Sequence, residues 1–71
     1  MVIMKKKNMS FQENLKRLRT YRKLTQDDLG EKLHMSKSMV HKLECGDMHP
    51  SMTLVRDIAK VLVVEPKDLF V

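Results

Sequence analysis

QDDLGEKLHMSKSMVHKLEC, residues 26–45, contains the clearest structural pattern of the chain. Its small and apolar residues recur at the spacing of two short helices that pack crosswise, and Ser36 stands where the second helix would begin. These core-forming residues are Leu29, Gly30, Leu33, Met35, Val40 and Leu43. The opposite side of the second helix carries Lys37, Ser38, His41 and Lys42. The stretch therefore predicts two crossed helices with a polar, basic face directed outward.

The size and composition of the chain indicate one small all-α domain. Its 71 residues suit a single hydrophobic core, 42% of them are apolar, and only 4% are aromatic. With two Gly and two Pro, the chain keeps long runs in which Leu, Val and Met favour helix. We predict that residues 10–71 form this domain. Residues 1–9 contain three consecutive lysines and show no periodicity, so we expect a flexible basic tail there.

Capping signals divide residues 10–71 into five short helices. The hydroxyl residues that precede the first four are Ser10, Thr25, Ser36 and Ser51. Glu13 and Asp28 each follow a cap by three residues, the spacing of a capping box. The predicted spans are 11 to about 22, 26–33, 36 to about 44, 52 to at least 62, and 66–70. Gly46 should end the third helix in a left-handed turn, and the last helix should present Leu69 and Phe70 to the core.

The charge of the chain is positive and unevenly distributed. Residues 1–46 hold 11 Lys and Arg against 5 Asp and Glu, and the net charge of the chain is +5. Such an excess favours binding to a polyanion, because neutralised phosphates release their counterions. A solvated basic surface with no such partner explains the charge equally well.

The single cysteine and the lack of long apolar runs predict where the protein resides. Cys45 has no second cysteine to pair with, so a reducing compartment fits best. The apolar start of the chain is too short for a signal peptide, and no run approaches the roughly 20 residues of a membrane span. We therefore expect a soluble, cytoplasmic protein without a membrane partner.

Metal binding and catalysis are the rival functions to weigh. His41 and Cys45 are four residues apart on one predicted helix and could chelate zinc, with His34 or His49 as distant further ligands. Structural zinc sites generally need four N or S ligands at compact spacings, so we expect no metal and no other cofactor. The sequence also shows no base beside a nucleophile, no Gly-rich phosphate loop and no paired catalytic carboxylates. An enzyme is the least expected class.

From Phe11 to Phe70 the sequence resembles the Cro and phage-repressor (XRE) type of helix-turn-helix family. The segments that carry the resemblance are LKRLR at 15–19, LTQDDL at 24–29, SKSMV at 36–40, LECG at 43–46, PS at 50–51, IAK at 58–60 and DLF at 68–70. The resemblance implies a compact five-helix, lambda-repressor-like domain whose second and third helices form the helix-turn-helix. It also implies a sequence-specific, DNA-binding transcription regulator of a prokaryote or mobile element, most simply a repressor or autoregulator.

The resemblance assigns roles to individual residues. Base contacts are implied for Lys37, Ser38 and Lys42, with Met39 and His41 as secondary readers. Phosphate contacts are expected from Gln26, Thr25, Ser36 and His49. Arg19 and Glu44 match positions that form a buried ion pair, which would join the first helix to the end of the third. We expect that pair to serve stability rather than DNA contact.

The resemblance also bears on assembly. We expect a homodimer on a palindromic DNA site, formed through the fourth and fifth helices and the C-terminal end, with no small-molecule ligand. Val61, Val63 and Val71 could contribute an apolar dimer surface, or they could be ordinary partly buried residues. The alternative function is a protein-interaction module of the same fold, such as an antitoxin or adaptor. RNA binding is a third possibility, weakened by the scarcity of aromatic residues for stacking.

Two positions depart from the family pattern, which often has glycine at each. His34 stands in the turn between the second and third helices, and histidine tolerates the left-handed conformation at some cost. Val63 follows the fourth helix. Because a β-branched residue is disfavoured in a left-handed cap, we predict that this helix runs on or ends in a different turn.

Overall fold

The computed structural model describes residues 10–71, so the tail predicted for residues 1–9 lies outside the described part of the chain. Four α-helices and one 3₁₀ helix follow in the order α1 (Phe11–Tyr21), α2 (Gln26–Leu33), α3 (Lys37–Cys45), α4 (Met52–Leu62) and 3₁₀ (Pro66–Leu69). The predicted all-α fold is confirmed, and residues 10–71 contain no strand. None of the described helices is long and apolar enough to cross a membrane.

The fifth predicted helix is only a short 3₁₀ helix. Its hydrogen bonds join residues three apart, from Asp68 N–H to Glu65 O at 2.9 Å and from Phe70 N–H to Lys67 O at 3.0 Å. The short fifth helix predicted for residues 66–70 is therefore present as one turn of 3₁₀ helix, a form that rarely extends beyond a few residues. Leu69 is fully buried as predicted, but Phe70 is 48% exposed and reaches the core only by packing its ring against Phe11, 5.6 Å between centroids.

The helix starts lie where the capping residues predicted them. Backbone N–H groups three residues further on donate to the four hydroxyl caps: Glu13 to Ser10 at 3.2 Å, Asp28 to Thr25 at 2.9 Å, Met39 to Ser36 at 3.1 Å and Leu54 to Ser51 at 3.1 Å. The carboxylates of Glu13 and Asp28 accept in return from the N–H groups of the first two caps. Both capping boxes are therefore formed, which satisfies donors that a helix start leaves unpaired.

Three helices end in a left-handed residue. The φ angles are 59° at His34, 87° at Gly46 and 58° at Val63. The prediction for Val63 is therefore wrong, because α4 ends there in the conformation that a β-branched side chain disfavours. Neighbouring contacts compensate: Val64 N–H donates to Ala59 O at 2.9 Å, and the Arg22 side chain donates to the carbonyls of Leu62 and Val63 at 2.8 Å and 3.3 Å.

One hydrophobic core connects all the elements. Its buried members are Phe11, Leu15, Leu29, Val40, Leu43, Val55, Ile58, Ala59, Leu62 and Leu69. Leu33 and Met35, which the sequence placed in the crossing of α2 and α3, pack against this core and are partly buried. Core residues of α1 and α4 therefore pack against α2 and α3 and hold these two helices in place.

Gly30 fixes how closely α2 and α3 approach. A Cβ at this position would lie 2.6 Å from the carbonyl oxygen of Met35, far inside contact distance. The same turn is closed by a hydrogen bond of 2.7 Å from Met35 N–H to Gly30 O. Only glycine permits this approach, so Gly30 sets the angle at which α3 is presented.

Asn14 joins the first helix to the last residues of the chain. This side chain is fully buried, and its Nδ2 donates to Leu69 O at 3.0 Å and to Val71 O at 2.9 Å. Arg17 donates to its Oδ1 at 3.0 Å. Sequence reasoning missed Asn14, since a side chain that binds backbone carbonyls has no partner residue type for a pattern to reveal.

Candidate nucleic-acid interface

α3 exposes the side chains predicted to read bases. Ser36 starts the helix, Gly30 sets its angle, and Val40 and Leu43 hold its inner side in the core with no exposed surface. The five predicted base-reading side chains are all exposed: Lys37, Ser38, Met39, His41 and Lys42. The outer side of α3 is therefore polar and basic. The one apolar side chain among these five is that of Met39, which is 40% exposed.

The residues predicted to bind phosphate surround the starts of α2 and α3. Thr25 and Ser36 are exposed caps whose hydroxyl oxygens accept backbone hydrogen bonds. The Thr25 hydroxyl also hydrogen-bonds the Asp28 carboxylate, whereas the hydroxyl hydrogen of Ser36 remains available to donate. Gln26 is the first residue of α2 and is partly buried. His49 is exposed in the loop before α4, and within residues 10–71 it makes no hydrogen bond to the other predicted residues.

An ion pair joins α1 to the end of α3. Arg19 Nε lies 2.5 Å from Glu44 Oε2, and Arg19 Nη2 donates to Glu44 Oε1 at 3.1 Å, which makes the contact bidentate. A further hydrogen bond of 2.7 Å runs from Arg19 Nη1 to Leu24 O. The two charged side chains are only 10% and 3% exposed. This pair fastens the C-terminal end of α3 to the body of the domain.

Further polar contacts lead from this ion pair toward the surface. Gln26 Nε2 donates to Glu44 Oε1 at 3.0 Å and lies 3.5 Å from His41 Nδ1. On the other side of the imidazole, His41 Nε2 lies 3.3 Å from the sulfur of Cys45. Sequence reasoning paired His41 with Cys45 but missed the contacts of Gln26 with Glu44 and His41. Their only signal was a glutamine and a glutamate placed on two helices that were themselves predicted to touch.

Asp28, one of the acidic residues at the start of α2, takes part in capping that helix. The backbone N–H and the hydroxyl of Thr25 both hydrogen-bond the Asp28 carboxylate, and they hold its pKa below the ordinary value of 3.8. Desolvation opposes this shift, and the positive charge of Lys32 makes a smaller contribution that lowers the pKa of Asp28. The Asp28 carboxylate therefore remains charged and serves the helix start, where negative charge stabilises the helix dipole.

The described residues offer no set of ligands for a metal ion. The four-residue spacing does bring His41 and Cys45 together, but nowhere in residues 10–71 do three or more His, Cys, Asp or Glu side chains cluster as a metal site requires. Cys45 is an exposed free thiol.

Two helices that cross at a glycine, the second with its polar side exposed, define the class of helix-turn-helix proteins. Residues 13–69 match the family model described as "Helix-turn-helix domain". The chain belongs to this family, in its Cro and phage-repressor type.

Two relatives of known sequence carry regulator names. The chain is 38% identical over 61 residues to the HTH-type transcriptional activator BcrR of Enterococcus faecalis, covering 86% of this chain and 30% of that protein. It is 39% identical over 57 residues to an uncharacterised HTH-type transcriptional regulator of Methanocaldococcus jannaschii, covering 80% of this chain and 86% of the relative. The chain thus spans less than a third of BcrR but most of the archaeal protein.

Solved structures contain the same fold alone and within a longer protein. The restriction-modification controller protein C.AhdI of Aeromonas hydrophila superposes with a TM-score of 0.80 and 32% identity, covering 84% of this chain and 91% of that one. The FeII form of HppE superposes with a TM-score of 0.83 and 27% identity, covering 87% of this chain and 33% of that one. The fold therefore occurs both as nearly a whole chain and as one part of a larger protein.

Proposed function

We propose that this protein is a sequence-specific, double-stranded-DNA-binding transcription regulator that inserts α3 into the major groove. The observation that carries the proposal is the outer side of α3, where the exposed polar residues stand on a helix anchored at both ends. Gly30 holds its start against α2, and Glu44 holds its end against α1. The regulator names of two relatives support the same function.

In this proposal each part of the interface has a distinct task. Lys37, Ser38 and Lys42 bind base edges, a lysine being suited to the O6 and N7 atoms of guanine, while the exposed Met39 contacts a thymine methyl group. The hydroxyls of Thr25 and Ser36 and the start of α2 bind phosphates, which sets the register of the protein on the duplex.

A homodimer is the arrangement we propose on DNA. One α3 contacts only a few base pairs, and a two-fold dimer would place two such helices on half-sites about 34 Å apart. The proposed contact surface comprises α4, the 3₁₀ helix and the C-terminal end, which expose Met52, Phe70 and Val71 to 59%, 48% and 56%. Val61 instead lies in a groove with α2 residues, whereas Val63 is 71% exposed and extends the proposed apolar surface. The simplest output is repression or autoregulation in the cytoplasm, by occupation of a promoter.

Two experiments test the function. DNA sites are first selected from a random pool, and the affinity for the selected site is then measured as salt is varied. We expect enrichment of a palindromic sequence and an affinity that falls steeply with salt, because phosphate binding releases counterions. Sedimentation of the complex should show two protein chains per site. Salt-insensitive capture of a protein partner, without any enriched DNA sequence, would instead favour the antitoxin or adaptor alternative.

Lys42→Ala is expected to weaken binding to the selected site by about 5- to 150-fold, the loss of one base contact worth about 1–3 kcal/mol. Unfolding by urea should be unchanged, because Lys42 is exposed. Lys16→Ala is the matched control: it removes the same charge from an exposed position on α1 and should weaken binding far less. Equal effects of the two variants, or an unchanged base preference of Lys42→Ala in a repeated selection, would contradict the reading role.

A further inference from the structure

The buried ion pair of Arg19 and Glu44 contacts Gln26, a predicted phosphate-binding residue, on the side of Gln26 that faces the protein. Glu44 Oε1 accepts a hydrogen bond from Arg19 Nη2 at 3.1 Å and another from Gln26 Nε2 at 3.0 Å, while Oε2 is held by Arg19 Nε at 2.5 Å. The Glu44 side chain is 3% exposed, whereas Gln26 is partly exposed at the first position of α2. A single hydrogen bond, from Gln26, therefore links the almost inaccessible Glu44 carboxylate to the surface proposed to contact DNA.

The negative charge of Glu44 decides which way the Gln26 amide faces. The two ends of a glutamine amide have nearly the same shape, but only the nitrogen donates. An ionised carboxylate only accepts, so a reversed amide would place two acceptors against each other where a hydrogen bond now forms. Because Arg19 holds both oxygens of Glu44, the orientation of the Gln26 amide is fixed as well.

One N–H of Gln26 remains for an outer partner. Nε2 carries two hydrogens, and Glu44 takes one of them. The other contact of Nε2 in residues 10–71 is His41 Nδ1 at 3.5 Å, which is the outer limit of a hydrogen bond. A phosphate oxygen is a charged acceptor and forms the stronger bond. It would also meet the unpaired backbone N–H groups in the first turn of α2.

We propose that Glu44 is a positioning residue for DNA binding: held by Arg19, it fixes the Gln26 amide so that the remaining N–H is presented to a phosphodiester oxygen. This inference rests on the proposed function and gives the ion pair a second role besides stability. Glu44 itself does not touch DNA in this arrangement. Its effect on affinity passes through Gln26.

A double-mutant cycle separates this role from stability. Arg19→Met/Glu44→Leu replaces the ion pair with apolar side chains, a change that often preserves the stability of a protein. Gln26→Ala is then made in the wild-type and in the replaced background, and affinity for the selected DNA site is measured at fixed salt. In the wild-type background we expect Gln26→Ala to weaken DNA binding by about tenfold or more, as for the loss of a hydrogen bond to a charged group. In the Arg19→Met/Glu44→Leu background it should weaken DNA binding by less than twofold. Lys42→Ala is the control and should weaken both backgrounds equally.

Neutral methylphosphonates substituted one at a time along the DNA site give a readout that stability does not move. One substitution should weaken wild-type binding clearly more than binding by Gln26→Ala, and this marks the phosphate that Gln26 contacts. The same substitution should weaken binding by the folded Arg19→Met/Glu44→Leu protein no more than it weakens binding by Gln26→Ala. If that protein is folded and loses as much affinity as the wild type at the marked phosphate, or if Gln26→Ala costs the same in both backgrounds, the positioning role is overturned. A wild type that selects no DNA site would instead refute the proposed function.

The free wild-type protein provides a second test, which holds even if the replaced protein does not fold. In a ¹⁵N NMR spectrum, one side-chain amide hydrogen of Gln26 should exchange with water more slowly than those of Gln12, the other glutamine of the chain. Gln26 donates a hydrogen bond of 3.0 Å to a buried carboxylate, and this bond must break before exchange. Equal exchange rates for the two glutamines would overturn the inference.

Discussion

Arg19 carries more of the fold than its position on a polar helix suggests. Its guanidinium binds Glu44 at the end of α3 and the carbonyl of Leu24 just before α2, so one side chain joins three helices. Both charges of the pair are almost fully buried. The complete pair is therefore compatible with a stable fold, whereas burying either charge without its partner lowers the free energy of unfolding.

Arg19→Met is therefore expected to lower the free energy of unfolding by about 3–5 kcal/mol, because it leaves the Glu44 carboxylate buried without its partner. Urea unfolding followed by circular dichroism measures the loss. Arg19→Met/Glu44→Leu serves as the matched control and should recover most of it, since no buried charge then remains. An Arg19→Met protein as stable as the wild type would show that the pair does not support the fold.

Single residues were predictable where their role is local. Gly30 was assigned from the sequence because two apolar helix patterns meet around it, and the clash of a Cβ with Met35 O gives the physical reason. His34 was expected in a left-handed turn and adopts one. The link from Glu44 to Gln26 could not be predicted, because it depends on the distance between two side chains after α1, α2 and α3 have packed.

At the scale of helices, the ends are less regular than the starts. All four α-helices begin at a hydroxyl cap, but α2 and α4 end at non-glycine residues with φ near 60°. Left-handed backbone costs an L-residue roughly 1–2 kcal/mol, and histidine tolerates it better than valine. The domain therefore retains strain at His34 and Val63 that a glycine would relieve.

Val63→Gly is expected to raise the free energy of unfolding by about 0.5–1 kcal/mol. The valine is 71% exposed, so little packing is lost, and the relief of strain exceeds the added entropy of the unfolded chain. His34→Gly is the matched comparison at another left-handed helix end and should stabilise less. Thermal unfolding of both variants measures the difference. A destabilised Val63→Gly would mean that the side chain makes a contact that outweighs the strain.

The helix starts could be predicted and the end of α4 could not, for one physical reason. A capping box involves residues three apart, so the sequence contains both partners side by side. The end of α4 instead depends on Arg22, forty residues from Leu62, whose guanidinium binds the last carbonyls. The sequence correctly marked the proline start of the short fifth helix, but it did not show that this helix would be a 3₁₀ helix.

At the scale of the whole molecule, polar side chains of α1 and of its C-cap Arg22 connect this helix to α3, α4 and the C-terminal segment. Arg19 binds the end of α3, Arg22 binds the end of α4, and Asn14 binds the backbone at Leu69 and Val71. The hydrophobic core alone does not orient these elements, because apolar contact is not directional. The polar contacts of α1 therefore fix the arrangement in which α3 is presented.

Asn14→Ala is expected to lower the free energy of unfolding by about 1–3 kcal/mol, because buried carbonyls of the C-terminal segment lose their donor. Thr20→Ala is the matched control on the same helix: its hydroxyl bonds only to α1 carbonyls and is exposed, so a change within about 0.5 kcal/mol is expected. Urea unfolding compares the two. Equal losses would show that the Asn14 contacts are not needed to hold the C-terminal segment.

Two polar residues of α1 and the Arg22 that follows it bind partners at increasing distances along the chain. Arg19 binds Glu44, 25 residues later, Arg22 binds Leu62, 40 residues later, and Asn14 binds Leu69 and Val71, 55 and 57 residues later. During synthesis on a ribosome, α1 emerges before any of these partners. Each contact can form only after its partner has been made, first α3, then α4, then the C-terminal segment, so the helix made first cannot have all its hydrogen bonds in place until the chain is complete to residue 71.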